Sequence, residues 1–223
     1  MDNGNLPRYL KYNPRADRLQ LMQDVALGLE YLHSFSLPVI HGDLKGLNVL
    51  ITSGTRACIA DFGLSIISED SNIYFTVTAT SNGQGSTPWM APELFDHINP
   101  ERRRKSCASD IYAFGCVGYE VAFKFIPFIS CSRSHGHCQI YAGRPPFSEY
   151  PPMMAIMRNL QLSRPASTEL DDAIWELIEK CRSTDPASRP NASEVVQQLR
   201  CHPGARNYEL APLSVWHQKK GAT

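Results

Sequence analysis

The segment His41-Gly42-Asp43-Leu44-Lys45-Gly46-Leu47-Asn48-Val49-Leu50-Ile51 limits what this chain can become more than any other, because it crowds a basic, an acidic and an amide side chain into one loop and then turns apolar. Asp43 offers a carboxylate able to accept a proton, and Lys45 places an ammonium two residues on. Asn48 offers an amide oxygen, and Asp61-Phe62-Gly63 brings a second carboxylate. Ala91-Pro92-Glu93 follows thirty residues after Asp61. A carboxylate beside an ammonium suits proton transfer accompanied by neutralisation of developing negative charge. Amide and carboxylate oxygens are hard donors of the kind that hold Mg²⁺. A polar loop between helix and strand, with Asp43 acting only as a cap, would use the same residue types. For Asp61-Phe62-Gly63 alone that plainer reading is the better one. The three groups together, in this order, are not explained by loop polarity.

The rest of the chain bounds the setting. Its 223 residues leave room for one sizeable domain. Lys+Arg and Asp+Glu balance at 22 each, so no strong field points to nucleic acid or to an anionic membrane. The seven cysteines have no framework spacing, which fits free thiols in a reducing compartment. The polar N-terminus lacks an apolar signal core. The most apolar stretch, 111–130, is interrupted by Glu120, Lys124 and Pro127, so its first half suits a buried helix better than a membrane span. The expected location is the cytosol.

Apolar residues recur at helical spacing from Ala16 to His33 (Leu19, Met22, Val25, Ala26, Leu29, Leu32), predicting an amphipathic helix that delivers the chain to His41. Asn48 to Ile51 reads as a short strand, Ser53-Gly54-Thr55 as a turn, and Ala57 to Ala60 as a second strand. That hairpin would place Asn48 and Asp61 side by side. The run Ile111 to Glu120 predicts a buried helix, with Ser109 or Asp110 capping its first turn. Further helices are expected over 153–160, over 170–181, and from an Asn191-Ala192-Ser193-Glu194 capping box through Leu199. The basic run 101–105 reads as a solvated loop.

The order H-x-D-L-K-x-x-N, then D-F-G, then A-P-E resembles the signature set of protein kinases. The resemblance covers residues 1 to about 200 and points to the C-terminal lobe. Gly42-Asp43-Leu44-Lys45-Gly46 and Trp89-Met90 look like the tyrosine-kinase-like group, notably members abundant in mushroom-forming fungi. The resemblance implies a mainly α fold, within an α+β family, with a short β-hairpin at the catalytic loop. It implies transfer of the ATP γ-phosphoryl group to Ser or Thr hydroxyls of a protein substrate, Tyr being left open, with Mg²⁺ as the metal. Asp43 would accept the substrate proton, Lys45 would neutralise transferred charge, and Asn48 and Asp61 would hold Mg²⁺. Leu50 would pack under the adenine, and His41 would stack with Phe62 beside Gly63. Ser86 would stand where related kinases have Thr, its hydroxyl directed to the catalytic loop. Asp110 would hold the catalytic-loop backbone, and Arg189 would form a buried ion pair with Glu93.

Departures matter as much. Gly42 stands where an Arg usually precedes the catalytic Asp; that Arg normally pairs with a phosphorylated loop residue. The hydroxyl-rich segment between Asp61 and Glu93 then reads as loop polarity rather than a set of regulatory sites. Pro88 replaces the usual Arg, which bears on substrate docking. The 223 residues contain no Gly-x-Gly-x-x-Gly and no strand Lys in V-A-I-K context, so the N-lobe sheet is expected to be absent and Met1 to be an internal methionine of a longer frame. A lobe of this kind could instead be a binding module without catalysis, or a decayed fragment.

Residues 121–139 interrupt the passage from the buried helix to the family's aromatic-Gly-basic turn, here Ile140-Tyr141-Ala142-Gly143-Arg144. A translated intron would explain them: Val codons begin GT, Gln can be CAG, and nineteen codons keep the frame. Zinc held by Cys131, His135, His137 and Cys138 competes, but the spacing is compressed. Residues 201–223 read as a loose tail.

Overall fold

The computed structural model describes residues 2–67, 87–95, 103–122, 164 and 171–205. Its helices are α1 (Leu6–Tyr12), α2 (Arg18–His33), α3 (Cys107–Ala122), α4 (Asp172–Cys181) and α5 (Ala192–Arg200). Four short strands, β1 (Val39–Ile40), β2 (Val49–Ile51), β3 (Ala57–Ile59) and β4 (Ile66–Ile67), form two antiparallel pairs. The described residues are thus mainly helical, with a β2–β3 hairpin directly after the catalytic-loop sequence.

Each helix starts where a side chain satisfies its first free amides. Asn5, Asp17 and Asp171 accept from the backbone N–H groups of Arg8, Gln20 and Ile174. Asn191 and Glu194 form the reciprocal box expected from their order. At α3 the expected cap is corrected. Ser106 Oγ accepts from Ser109 N–H at 3.2 Å, while Ser109 Oγ accepts from Ser106 N–H at 2.9 Å. The pair spends its hydroxyls on each other's backbone, which leaves the Asp110 carboxylate for other donors.

The core lies between α2, α3, α4 and α5. Leu21, Met22, Val25 and Leu29 of α2 are buried with Phe114 and Val117 of α3, Ile178 of α4 and Leu199 of α5. Helix α3 is covered on nearly all sides, in keeping with its almost unbroken apolar run. It runs two residues into the expected insert: Val121 and Ala122 are helical and buried, and Arg18 donates a hydrogen bond to the Val121 carbonyl. Val121 lies four residues after Val117 and seven after Phe114, so it continues their buried face. The Ile140 that would follow Glu120 after excision is also a β-branched apolar residue suited to that position. The remainder of the insert, including the four zinc candidates, lies outside the described residues, as do the turn at 140–144 and the helix expected over 153–160.

Asp24 anchors the hairpin to α2. Its carboxylate accepts from Arg56 Nε at 2.9 Å and from the Ala57 N–H at 2.8 Å. The hairpin closes through Thr52 N–H to Arg56 carbonyl at 2.9 Å, with Thr55 at φ 61°. The strand periodicity puts Val49 and Ile51 into the core and turns Leu50 the other way, half-buried. Asn3 and Gly4 add backbone bonds to the outer edge of β2, so the first residues are tied to the catalytic-loop hairpin.

Of the expected tail, 201–223, the described residues reach 205. Cys201 to Ala205 form a turn, and His202 Nε2 lies 2.6 Å from the Asp171 carboxylate. Residues 206–223 are outside the described residues. Five cysteines (58, 107, 116, 181 and 201) are free thiols among the described residues. None of the described helices is long and apolar enough to cross a membrane.

Candidate active site

The catalytic-loop sequence follows β1, and its backbone is held from α3. Asp110 accepts from His41 N–H at 2.8 Å through one oxygen and from Gly42 N–H at 2.9 Å through the other. It also pairs with His33 Nε2 at 3.0 Å. Burial pulls the His33 pKa down, but hydrogen bonds to Asp110 and Cys107, with the charges behind them, outweigh it and push the value up to about 9. A carboxylate accepting from successive backbone amides fixes their orientation, and here it fixes the two residues before Asp43.

His41 is fully buried. Its Nε2 donates to the Ala60 carbonyl at 3.1 Å and its Nδ1 accepts from the Asp43 N–H at 3.3 Å, the tautomer these partners require. The ring therefore bridges the loop to the residue before Asp61. It meets the Phe62 ring edge-on, with centroids 5.3 Å apart.

Asp43, Lys45 and Asn48 converge. Lys45 Nζ lies 2.7 Å from Asp43 Oδ2, and Asn48 Nδ2 donates to the same oxygen at 3.1 Å and to the Asp43 carbonyl at 2.9 Å. Among the described residues, both of these side-chain bonds fall on Oδ2. Because Asn48 spends its amide nitrogen on Asp43, its carbonyl oxygen is the atom of this side chain that could ligate a metal. A turn of 3-10 helix, Gly46–Asn48, presents it.

Asp61 is brought near through the backbone: the Ala60 N–H donates to the Asn48 carbonyl at 2.8 Å, continuing the β2–β3 register. The Asp61 backbone is left-handed, at φ 65°, and among the described residues its exposed carboxylate makes only a long contact, 3.4 Å, with the Gly63 N–H. No hydrogen bond joins the Asp61 and Asn48 side chains among the described residues. No cluster of three His, Cys, Asp or Glu side chains is placed to hold a metal among them either. Asn48 and Asp61 therefore fit Mg²⁺ only with phosphate and water oxygens completing the shell, the usual way proteins hold this ion at phosphates.

Farther out, Arg189 reaches Glu93 in a two-pronged ion pair with both N–O distances 2.7 Å. It also donates to the carbonyls of Ser183 and Ala108 and lies over the Tyr112 ring. Ser86 lies outside the described residues.

Three contributors escape the sequence reading. The Ile66-Ile67 pair forms β4 against β1, locking the start of the hydroxyl-rich segment beside the catalytic loop; two adjacent isoleucines are the available signal. Glu120, at the buried end of α3, accepts on Oε1 from the Gly46 N–H at 3.1 Å and from the Trp89 indole N–H. Burial pushes its pKa up to about 7 against the opposing pull of those two bonds. The third is Lys105. The basic run reads as solvated, but Lys105 is only 8% exposed and donates to the Leu64 carbonyl at 3.1 Å. Its pKa is lowered: burial outweighs the raising effect of the Asp43 and Asp110 charges.

A model of the protein kinase domain family matches residues 1–199. The chain belongs to the protein kinase family. The kinase domain is 32% identical over 210 residues to LysM domain receptor-like kinase 10 of rice, covering 89% of this chain and 33% of the relative. It is 31% identical over 204 residues to the serine/threonine/tyrosine-protein kinase HT1 of Arabidopsis thaliana, covering 89% of this chain and 45% of that one. With human receptor-interacting serine/threonine-protein kinase 3 the identity is 32% over 209 residues, covering 87% and 35%. The chain thus spans less than half the length of each of these relatives.

Proposed function

We propose that this chain carries the proton-accepting and metal-holding side of a protein serine/threonine kinase site, acting on hydroxyls of a protein substrate in the cytoplasm. The observation that carries the reading is the shared grip of Lys45 and Asn48 on Asp43 Oδ2, on a loop whose backbone hangs from Asp110. That grip orients Oδ1 to take the proton of an incoming hydroxyl. Lys45 beside it offsets negative charge passing to the acceptor oxygen. When bound, Mg²⁺-ATP supplies the phosphoryl group, and Asn48 and Asp61 would hold the metal. Leu50 would lie beneath the adenine, a role supported by its turning out of the core next to the Asn5 bridge. A Lys two residues after Asp43 and the serine/threonine name of the human relative support hydroxyls of Ser and Thr, and the serine/threonine/tyrosine name of the Arabidopsis relative leaves Tyr open.

A second reading has its own observation. Leu47, Phe62, Leu64 and Ile67 are each about half exposed beside the catalytic loop, and an apolar patch of this kind also suits a binding module. Incubation of the protein with labelled ATP, Mg²⁺ and a pool of Ser-, Thr- and Tyr-containing peptides separates these readings. The kinase reading expects Mg²⁺-dependent phosphoserine and phosphothreonine. Phosphotyrosine alone would overturn the substrate class, and binding without transfer would favour the module.

A further inference from the structure

Gly42 and Lys105 are shaped to each other. Gly42 sits at φ +72°, and a Cβ built on it would lie 2.5 Å from Lys105 Cδ, 2.8 Å from Lys105 Nζ and 3.0 Å from the Leu64 carbonyl. No side chain fits at position 42 while Lys105 stays where it is. The lysine comes from the segment just before α3, sixty-three positions later, so the space left by one residue is filled by a distant one. What fills it is a cation. Its Nζ holds the carbonyl of Leu64, the residue after Gly63, and its charge acts on both Asp43 and Asp110.

We propose that Lys105 is the positioning cation of the catalytic loop, tying the chain after Asp61-Phe62-Gly63 to the loop that carries Asp43 from a place that the missing side chain of Gly42 leaves open. The proposal rests on the kinase reading for its catalytic consequence, and on geometry alone for its structural one. Three elements meet at this ammonium: the loop through Gly42, the start of the hydroxyl-rich segment through Leu64, and the entrance to α3 through Lys105 itself. Asp110 holds the loop amides, and Lys105 holds the carbonyl on the other side. The ammonium also joins His33 and Lys45 in balancing the two carboxylates, Asp110 and Asp43, that flank the loop. This tie is made by a residue of the chain itself.

The test compares the full chain with Lys105→Met, which keeps most of the side-chain volume and removes the charge, and Lys105→Arg, which keeps the charge. Urea denaturation first shows that each variant is folded. Amide hydrogen exchange is then followed in the peptides covering 41–45 and 62–67, and kcat and KM for ATP are measured beside it. The expected result is exchange at least about fivefold faster in both peptides for Lys105→Met, with Lys105→Arg close to the unmodified chain. With it comes a kcat lowered about tenfold or more and a KM for ATP within twofold. Unchanged exchange in Lys105→Met overturns the proposal. Equal loosening in both variants also overturns it, since that marks the lysine as space-filling only. Faster exchange with an undiminished kcat removes its catalytic consequence. If the unmodified chain transfers no phosphate, the kinase reading fails by itself, and the exchange comparison still decides whether Lys105 ties the loop.

Discussion

Replacing Glu120 with Gln should make this domain more stable at slightly alkaline pH, although it removes a buried acid bonded to two donors. Both donors, Gly46 N–H and Trp89 Nε1–H, fall on the single oxygen Oε1, so the Gln carbonyl can accept both while its amide takes the place of Oε2. What changes is the charge. The carboxyl pKa rises from 4.5 to about 7 in the fold. A raised acid binds its proton more tightly folded than unfolded, so its contribution is most favourable below 4.5, falls as pH climbs to about 7, and is flat beyond. Multiplying the shift by about 1.4 kcal/mol per unit gives an upper bound of roughly 3.5 kcal/mol at pH 8. The Gln amide brings one more buried N–H than the neutral acid it stands in for, which offsets part of that, so a gain of about 2 kcal/mol is expected for Gln. Urea unfolding followed by tryptophan fluorescence at pH 8 should show the midpoint moving up by roughly 1 M at an unchanged slope. At pH 4 the two proteins should agree within about 1 kcal/mol, because both are then neutral at this position. A Gln variant less stable than the parent at pH 8 would refute the reasoning: the charged carboxylate would then be a net contributor.

Two further outcomes follow from other buried charges. Arg189→Met should cost about 3–5 kcal/mol in urea unfolding, since it strands the Glu93 carboxylate and two carbonyls that Arg189 now serves; a loss under about 1 kcal/mol would mean the pair is solvated. His33, raised to about 9 in the fold, contributes stability that is complete below 6.5 and lost as pH rises through about 9. Allowing for the ring's partial contact with solvent, the difference between the parent and His33→Gln should shrink by about 2 kcal/mol between pH 6 and pH 10, and a difference constant with pH would contradict the pairing with Asp110.

Residues whose chemistry is tied to a fixed order are legible in the sequence alone. Glu93 and Arg189 are ninety-six positions apart, yet each sits in a short motif that names its partner, and the fold brings them within 2.7 Å. The α2 stripe and the β2–β3 hairpin are readable because their periods differ and Gly54 marks the turn between the strands. Other features have no such local signal. Lys105 lies in a basic run whose neighbours suggest solvent, and only the space over Gly42 gives it a buried place. Glu120 looks like an interruption in an apolar helix; its two donors come from Gly46 and Trp89, far away in sequence. Ser106 rather than Ser109 or Asp110 accepts from a first-turn amide of α3, because the helix begins earlier than its apolar run. For Lys105 and Glu120 the deciding partner is distant along the chain, which no local pattern can encode.

The central claim is that Asp43 accepts the substrate proton on a loop held by Lys45, Asn48 and Asp110. The measurement that bears on it most directly is phosphate transfer from Mg²⁺-ATP to a Ser/Thr peptide by the protein and by its Asp43→Asn variant, with equal folding shown by urea denaturation. The account predicts a kcat at least about 100-fold lower for Asn, which keeps the shape and loses the base. Transfer by Asp43→Asn at the parent rate, or none by the parent, would contradict it.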